Sequence, residues 1–101
     1  MFFNKNKTPS GDADIVIFYS DSCPHCLNVE KFLEENKVLE KVDYTRKSVD
    51  NNPGNVSELQ QKALACNLIG DIGIPFLWNK QTSKCSVGDE DIINFFKEKI
   101  K

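Results

Sequence analysis

The sequence predicts one α/β domain in which a four-stranded mixed sheet is flanked by three helices. A chain of 101 residues, 40% of them hydrophobic and 28% charged, suits a single compact domain with a modest core. The apolar run from Ile15 to Tyr19 is β-branched and aromatic and lacks polar alternation, as in a central strand that is covered on both faces. Helical apolar periods then alternate with short extended runs along the rest of the chain.

A Cys-x-x-Cys pair, Cys23-Pro24-His25-Cys26, comes directly after this first strand. Pro24 suits the first turn of a helix, because its missing N–H is not needed there and its φ is already helical. Cys23 is therefore expected at a helix N-terminus, where unpaired backbone N–H groups and the helix dipole favour a thiolate. Cys26 faces inward one turn later. We predict a redox dithiol in which exposed Cys23 attacks a disulfide and sheltered Cys26 then displaces the partner.

Half of a zinc site is the first alternative to a redox dithiol. Cys66 and Cys85 form no second close pair, and the only histidine, His25, lies between the two cysteines of the motif. This spacing does not suit joint tetrahedral ligation, so we expect no metal ligands. A purely structural disulfide within the motif is less favoured still, because so short a loop removes little chain entropy from the unfolded state.

Charge and hydropathy exclude several classes of partner. The net charge of −2, with acidic and basic residues interleaved, offers no basic face to nucleic acid. No apolar run approaches the roughly 20 residues of a membrane span, and the first residues lack the apolar centre of a signal peptide. We expect a cytoplasmic protein, with a periplasmic or membrane-tethered form left open. Residues 1–13 have no periodicity and predict a flexible segment ahead of a domain at residues 14–101.

The first helix and the second strand are predicted from their periods. Apolar residues recur at helical spacing from the end of the motif onward and predict a helix of about three turns. They are Cys26, Val29, Phe32 and Leu33. Val42 and Tyr44 alternate with polar neighbours and predict a more exposed strand near residues 41–46.

A turn signal at residues 51–54 precedes the second helix. Asn55 and Glu58 have the spacing of a helix cap, so we expect the helix to begin at Asn55, and Gly70 suits its end. Its apolar stripe is Val56, Leu59, Ala63 and Cys66. We expect Cys66 to be a small buried core residue, because a free cysteine behaves as a hydrophobe when nothing acidifies it. A disulfide between Cys66 and Cys85 is the alternative, and it would require a specific geometry.

Residues 73–78 and 84–87 flank a polar turn and predict a β-hairpin that Pro75 opens. Trp78 is expected in the core or on the sheet surface. Gly88 and Asp89 then introduce the last helix, which Asp89 can cap. The buried stripe of this helix is Ile92, Ile93, Phe96 and Ile100.

This order of elements resembles the thioredoxin superfamily, and most closely its glutaredoxin branch, from about Asp14 to Lys99. The resemblance depends on three matches: the Cys-Pro-His-Cys motif, Ile74-Pro75 ahead of the hairpin, and Gly88-Asp89 ahead of the last helix. It implies a compact thioredoxin/glutaredoxin-like fold and a thiol–disulfide oxidoreductase. It also implies a cis Ile74–Pro75 bond that faces the cysteines, with the backbone of Ile74 pairing with a bound peptide or glutathione, and a substrate-binding role for Gly88 and Asp89.

Some positions depart from the glutaredoxin pattern. Ser20 and His25 stand where a lysine and a tyrosine usually help to hold glutathione, and Val87 replaces the first of two glycines. We therefore expect the protein to bind glutathione weakly. We also expect a monomer without a cofactor, which exchanges disulfides with proteins or with glutathione. The alternative is a module in which Cys23 and glutathione hold an iron–sulfur cluster, or a zinc ion. The Pro-His dipeptide is similar to that of periplasmic disulfide oxidases, and we expect His25 to make the couple more oxidising than thioredoxin.

Overall fold

The computed structural model describes residues 13–70 and 72–101. In this part of the chain the strands are β1 Ile15–Tyr19, β2 Thr45–Ser48, β3 Phe76–Asn79 and β4 Lys84–Val87. The α-helices are α1 Pro24–Glu35, α2 Pro53–Ala65 and α3 Asp89–Lys99. The flexible segment predicted at residues 1–13 falls outside the described residues except for Ala13. None of these helices is both long enough and apolar enough to cross a membrane.

The sheet has the order β2-β1-β3-β4, so β1 and β3 are its central strands. β1 pairs with β2 in parallel and with β3 in antiparallel orientation, and β3 and β4 form the predicted hairpin. The predicted mixed sheet is confirmed. The apolar run of β1 is unbroken because β1 is a central strand of this sheet.

Each face of the sheet carries its own apolar cluster, because successive strand residues point to opposite faces. On one face Ile15, Ile17 and Leu77 pack with side chains of α1 and α3. On the other face Phe18, Phe76 and Trp78 pack with Leu59 and Ala63 of α2. Trp78 is a core residue that is 8% exposed, as predicted. Helices therefore cover both faces.

The second strand lies later in the chain than predicted, and it overlaps the predicted range only at Thr45 and Arg46. Residues 41–44 precede β2, and a short 3-10 helix at Val38–Glu40 comes before them. The Val42 N–H donates to the Val38 carbonyl at 2.8 Å, which continues this turn. Val42 and Tyr44 still pack against the core. The alternation of Val42 and Tyr44 with polar residues therefore reflects their packing against the core and not their pairing in a strand.

Two predicted helix caps were displaced. The cap of α2 is Asn52, three residues before Asn55, because the Asn52 side chain accepts the Asn55 N–H at 3.0 Å and Pro53 takes the first helical position. α2 also ends at Ala65 rather than near Gly70. The cap of α3 is Gly88, with φ of 93°, and Asp89 is the first helical residue.

Candidate active site

Cys23 caps the N-terminus of α1, as predicted, and Pro24 occupies the first turn. Its Sγ accepts the backbone N–H of Cys26 at 3.1 Å. The Cys23 N–H in turn donates to the Ser20 carbonyl at 3.3 Å, which closes the turn between β1 and α1. The side chain is only partly buried. Cys23 is therefore a reachable sulfur with an N–H group directed at it.

Cys26 lies one turn further along α1 and is 5% exposed. Burial raises the pKa of its thiol to about 12, and a hydrogen bond with Cys23 adds to this shift. Both cysteines are free thiols in the structure. At neutral pH Cys26 is thus a protonated, sheltered thiol beside an accessible one.

The loop ahead of β3 lies against Cys23. The Ile74 carbonyl oxygen is 3.9 Å from the Cys23 Sγ, and Pro75 is fully buried. The Ile74–Pro75 peptide bond is cis. The Pro75 carbonyl accepts the N–H of Gly88 at 2.9 Å. The fold therefore brings the three predicted groups of site residues together at one end of the sheet.

The side chain of His25 is 69% exposed, and its hydrogen-bond partner is Asp89 of α3 rather than the sulfur of Cys23. Its Nδ1 is 3.0 Å from an oxygen of Asp89, and Asn28 donates to the same oxygen at 2.7 Å. The hydrogen bonds from Asn28 and then from His25 hold the pKa of Asp89 at about 2. An ionised carboxylate thus links the first turns of α1 and α3. Asn28 was not predicted as a site residue, although its position three residues after His25 puts both on one face of the helix.

Ser20 is held by an acidic residue. Its hydroxyl is buried and donates to Asp50 at 2.7 Å, and the Asp21 N–H donates to the other oxygen of Asp50 at 2.9 Å. Both hydrogen bonds lower the pKa of Asp50, and the one from the Asp21 N–H has the larger effect. Asp50 therefore fixes the turn that leads into Cys23. The sequence reasoning did not identify Asp50, which lies 30 residues from Ser20.

The expectation that Cys66 is a free core residue was wrong, because Cys66 and Cys85 form a disulfide. Their sulfurs are 2.01 Å apart and their Cα atoms 6.3 Å apart. α2 ends at Ala65, so Cys66 is its C-cap and faces β4, where Cys85 is paired with Trp78. Both cysteines pack on the cluster beneath α2. Leu59 and Ala63 of the predicted stripe are buried, but Cys66 is only partly buried and is bonded to Cys85.

Among residues 13–70 and 72–101, no group of three or more His, Cys, Asp and Glu side chains is placed to hold a metal ion. No observation therefore supports the metal-binding alternative.

Comparison with known proteins bears on the family and the fold. The glutaredoxin family model matches residues 15–80, which is more than half of the chain. No curated protein matches the sequence. Among solved structures, the reduced C-terminal domain of Neisseria meningitidis DsbD aligns with a TM-score of 0.50 and 17% identity, over 84% of this chain and 78% of that chain. This likeness shows a shared fold. The match of the family model, which includes both cysteines of the motif, assigns the chain to the glutaredoxin family of the thioredoxin superfamily.

Proposed function

We propose that this glutaredoxin-family protein is a dithiol–disulfide oxidoreductase in which Cys23 is the nucleophile and Cys26 resolves the mixed disulfide. The observation that supports this most strongly is the inequality of the two sulfurs. Cys23 is reachable and accepts an N–H at a helix N-terminus, whereas Cys26 is 5% exposed and has a pKa raised to about 12. Thiol–disulfide exchange by a dithiol requires one thiol that attacks the substrate and a second thiol that resolves the mixed disulfide.

In the first step the Cys23 thiolate attacks one sulfur of the substrate disulfide. A bond forms between that sulfur and Sγ of Cys23, the substrate disulfide breaks, and one substrate thiolate leaves. The Cys26 N–H lies 3.1 Å from the sulfur, where it stabilises the thiolate before attack. The Ile74 carbonyl, 3.9 Å away, belongs to the loop that we expect to pair with a substrate backbone.

In the second step Cys26 loses its proton to the departed substrate thiolate or to water and attacks Sγ of Cys23. The Cys23–Cys26 disulfide forms and the second substrate thiolate leaves. The substrate has then gained two electrons and two protons, which the dithiol has lost. Two of the causes that raise the Cys26 pKa are a hydrogen bond and a charge from Cys23. Both weaken once Cys23 is bonded to the substrate, so attack makes the resolving thiol easier to ionise.

Protein and small-molecule disulfides are the favoured substrates over glutathione. Position 20 carries a neutral serine in place of a cation, and its hydroxyl donates to Asp50, a carboxylate that is negative at neutral pH. This charge would repel the glycyl carboxylate of glutathione. Asp89 already accepts hydrogen bonds from Asn28 and His25, so the γ-glutamyl amino group would have to compete for it.

Weak glutathione recognition is tested by comparing two disulfides of similar reactivity. We expect the reduced protein to react with glutathione disulfide no faster than with an uncharged small disulfide, because the charged ends of glutathione gain no partner. Stopped-flow measurement of both rates checks this. The variant Ser20→Lys serves as the gain-of-function control. A strong preference for glutathione disulfide in the wild type would contradict the proposed substrate class.

Trapping experiments test the roles of the two cysteines. Cys26→Ser should accumulate mixed disulfides through Cys23, because nothing resolves them, whereas Cys23→Ser should accumulate few. Mixing each variant with a protein disulfide and resolving the products by non-reducing electrophoresis gives the measurement. Equal trapping by the two variants would remove the assignment of nucleophile and resolving thiol.

A further inference from the structure

The Cys66–Cys85 disulfide stands at the base of the loop that reaches the active site. Cys66 is the C-cap of α2, and Cys85 lies on the edge strand β4, with 19 residues of sequence separation. The segment between Cys66 and Pro75 has neither helix nor strand among its described residues. Its first two residues are tied back to α2, where Asn67 and Leu68 donate to carbonyls of the last turn at 2.9 Å each.

Two arms lead from this disulfide toward the active site and join at Pro75 and Gly88. One arm is the loop to Ile74, whose carbonyl is 3.9 Å from the Cys23 sulfur. The other is the end of β4, which leads from Cys85 to Gly88. The arms join where Gly88 N–H donates to the Pro75 carbonyl at 2.9 Å. The disulfide therefore closes a ring that contains the substrate loop.

The loop inside this ring packs on the cluster beneath α2 through three partly buried side chains, Leu68, Ile72 and Ile74. Ile69 is 85% exposed, and Leu64, on the last turn of α2, is 62% exposed. Asn67 and Gly70 have positive φ angles of 62° and 92°. A segment with exposed apolar side chains and no ladder hydrogen bonds opens at low free-energy cost. Without the cross-link, its position relative to β4 would depend on these partly buried side chains and on the hydrogen bond between Gly88 and Pro75.

The sulfurs are also placed for reversible chemistry. Both cysteines are only partly buried, and β4 is an open sheet edge. The Cys66 Sγ lies 4.0 Å from the Ser83 carbonyl, and the Cys85 Sγ lies 3.6 Å from the Lys62 carbonyl. Once reduced, each thiol therefore has a carbonyl acceptor within reach. The fold can accommodate both the disulfide and the dithiol.

We propose that Cys66–Cys85 is a second thiol–disulfide site, and that its oxidised form holds the Ile74 loop where protein disulfides reach Cys23. This inference rests on the proposed function. A dithiol reductant attacks Cys66, breaks the bond to Cys85 and forms a mixed disulfide. Its second thiol then displaces Cys66. Two electrons and two protons pass to the pair, and the reductant leaves as a disulfide. Opening this site loosens the docking loop and leaves the Cys23–Cys26 dithiol intact.

The test compares wild type with Cys66→Ala/Cys85→Ala on two substrates. Insulin is the protein disulfide, and 5,5′-dithiobis(2-nitrobenzoate) is the small disulfide that needs no docking loop. We expect kcat/KM for insulin to fall about tenfold, mainly through KM, because the loop no longer positions the substrate. We expect the rate with the small disulfide to stay unchanged. Equal rates on insulin, or a parallel loss on both substrates, would overturn the inference. A wild type that reduces neither substrate would instead refute the proposed function.

A second measurement covers the case in which the double variant does not fold. In Cys23→Ala/Cys26→Ala the Cys66–Cys85 disulfide is the only one that a phosphine reductant can open. We expect reduction to accelerate amide hydrogen exchange in residues 67–70 and 72–74 while the amides of α1 keep their protection. Unchanged exchange in the loop, or uniform loss of protection throughout the chain, would overturn the inference in favour of a cross-link with a purely structural role.

Discussion

At the scale of single residues, the two motif cysteines should differ in reactivity. At pH about 7 the buried Cys26, with its pKa raised to about 12, stays a thiol, and only thiolates alkylate rapidly. Cys23 is reachable and has an N–H donor at 3.1 Å. We expect iodoacetamide to label Cys23 first, as mapped by mass spectrometry of quenched samples. Cys26→Ala is the matched variant, because it keeps the backbone N–H but removes the hydrogen bond between the two side chains, so the change in the Cys23 rate measures that bond. Equal labelling of both cysteines would contradict the unequal roles.

His25 should make the Cys23–Cys26 couple more oxidising, although its effect is limited by its neighbour. A protonated imidazole near the Cys23 thiolate stabilises the reduced form, but Asp89 lies 3.0 Å from the ring and opposes that charge. The ring is also 69% exposed, so solvent screens it. We expect His25→Ala to lower the reduction potential by at most about 30 mV, which corresponds to about 1.4 kcal/mol for two electrons.

Equilibration with a glutathione buffer measures this potential. Asp89→Asn is the informative companion, because it removes the opposing charge and should move the potential in the other direction. A potential that is unchanged or higher in His25→Ala would show that the imidazole does not act on the thiolate.

At the scale of elements, Asp89 joins α1 to α3, and this link should depend on pH. Its pKa is about 2 in the folded protein, below the ordinary value of 3.8. A carboxyl whose pKa is lowered by folding stabilises the folded state above its unfolded pKa, and loses that contribution as the pH falls through the folded value. The link should therefore be complete at pH about 5 and should be lost as the pH falls from about 4 through about 2, where half of the Asp89 carboxyl groups are protonated in the folded protein.

We expect Asp89→Asn to lower Tm at neutral pH, and we expect the difference from wild type to shrink between pH about 4 and about 2. Thermal melts followed by circular dichroism provide the measurement. Asp91→Asn is the control, since Asp91 lies in the same first turn of α3 and the substitution removes the same charge. If Asp91→Asn shows the same pH dependence, the effect comes from the helix dipole and the link through Asn28 and His25 contributes nothing.

At the scale of the whole molecule, what the sequence predicted depended on local signals. β1, α1 and the hairpin were predicted correctly because their apolar periods are unambiguous, and Pro24 fixed the position of Cys23. The start of α2 was missed because Asn52 and Asn55 are both good caps, and only the folded turn selects between them. Asn28 and Asp89 are 61 residues apart, so their contact follows from the packing of α1 on α3. No local pattern could have indicated it.

The Cys66–Cys85 disulfide shows the same limit, since pairing depends on where the end of α2 meets the edge strand. It also gives the clearest global prediction. Closing a loop with 19 residues of sequence separation stabilises the fold by about 3 kcal/mol in the chain-entropy model, because the cross-link restricts the unfolded chain. Reduction of Cys23→Ala/Cys26→Ala should therefore lower the urea midpoint. It should also raise the m-value, because the unfolded chain then expands and exposes more surface.

Urea titrations followed by circular dichroism, with and without a phosphine reductant, measure both quantities. Adding Cys66→Ala and Cys85→Ala to the same background gives a variant without thiols, on which the reductant should have no effect. Its midpoint should lie near that of the reduced protein, apart from the small loss of packed sulfur atoms. An unchanged midpoint on reduction would mean that the cross-link adds nothing to folding. A lower midpoint with an unchanged m-value would instead locate its contribution in the packing of α2 against β4, since the extent of the unfolded chain would then be the same in both states.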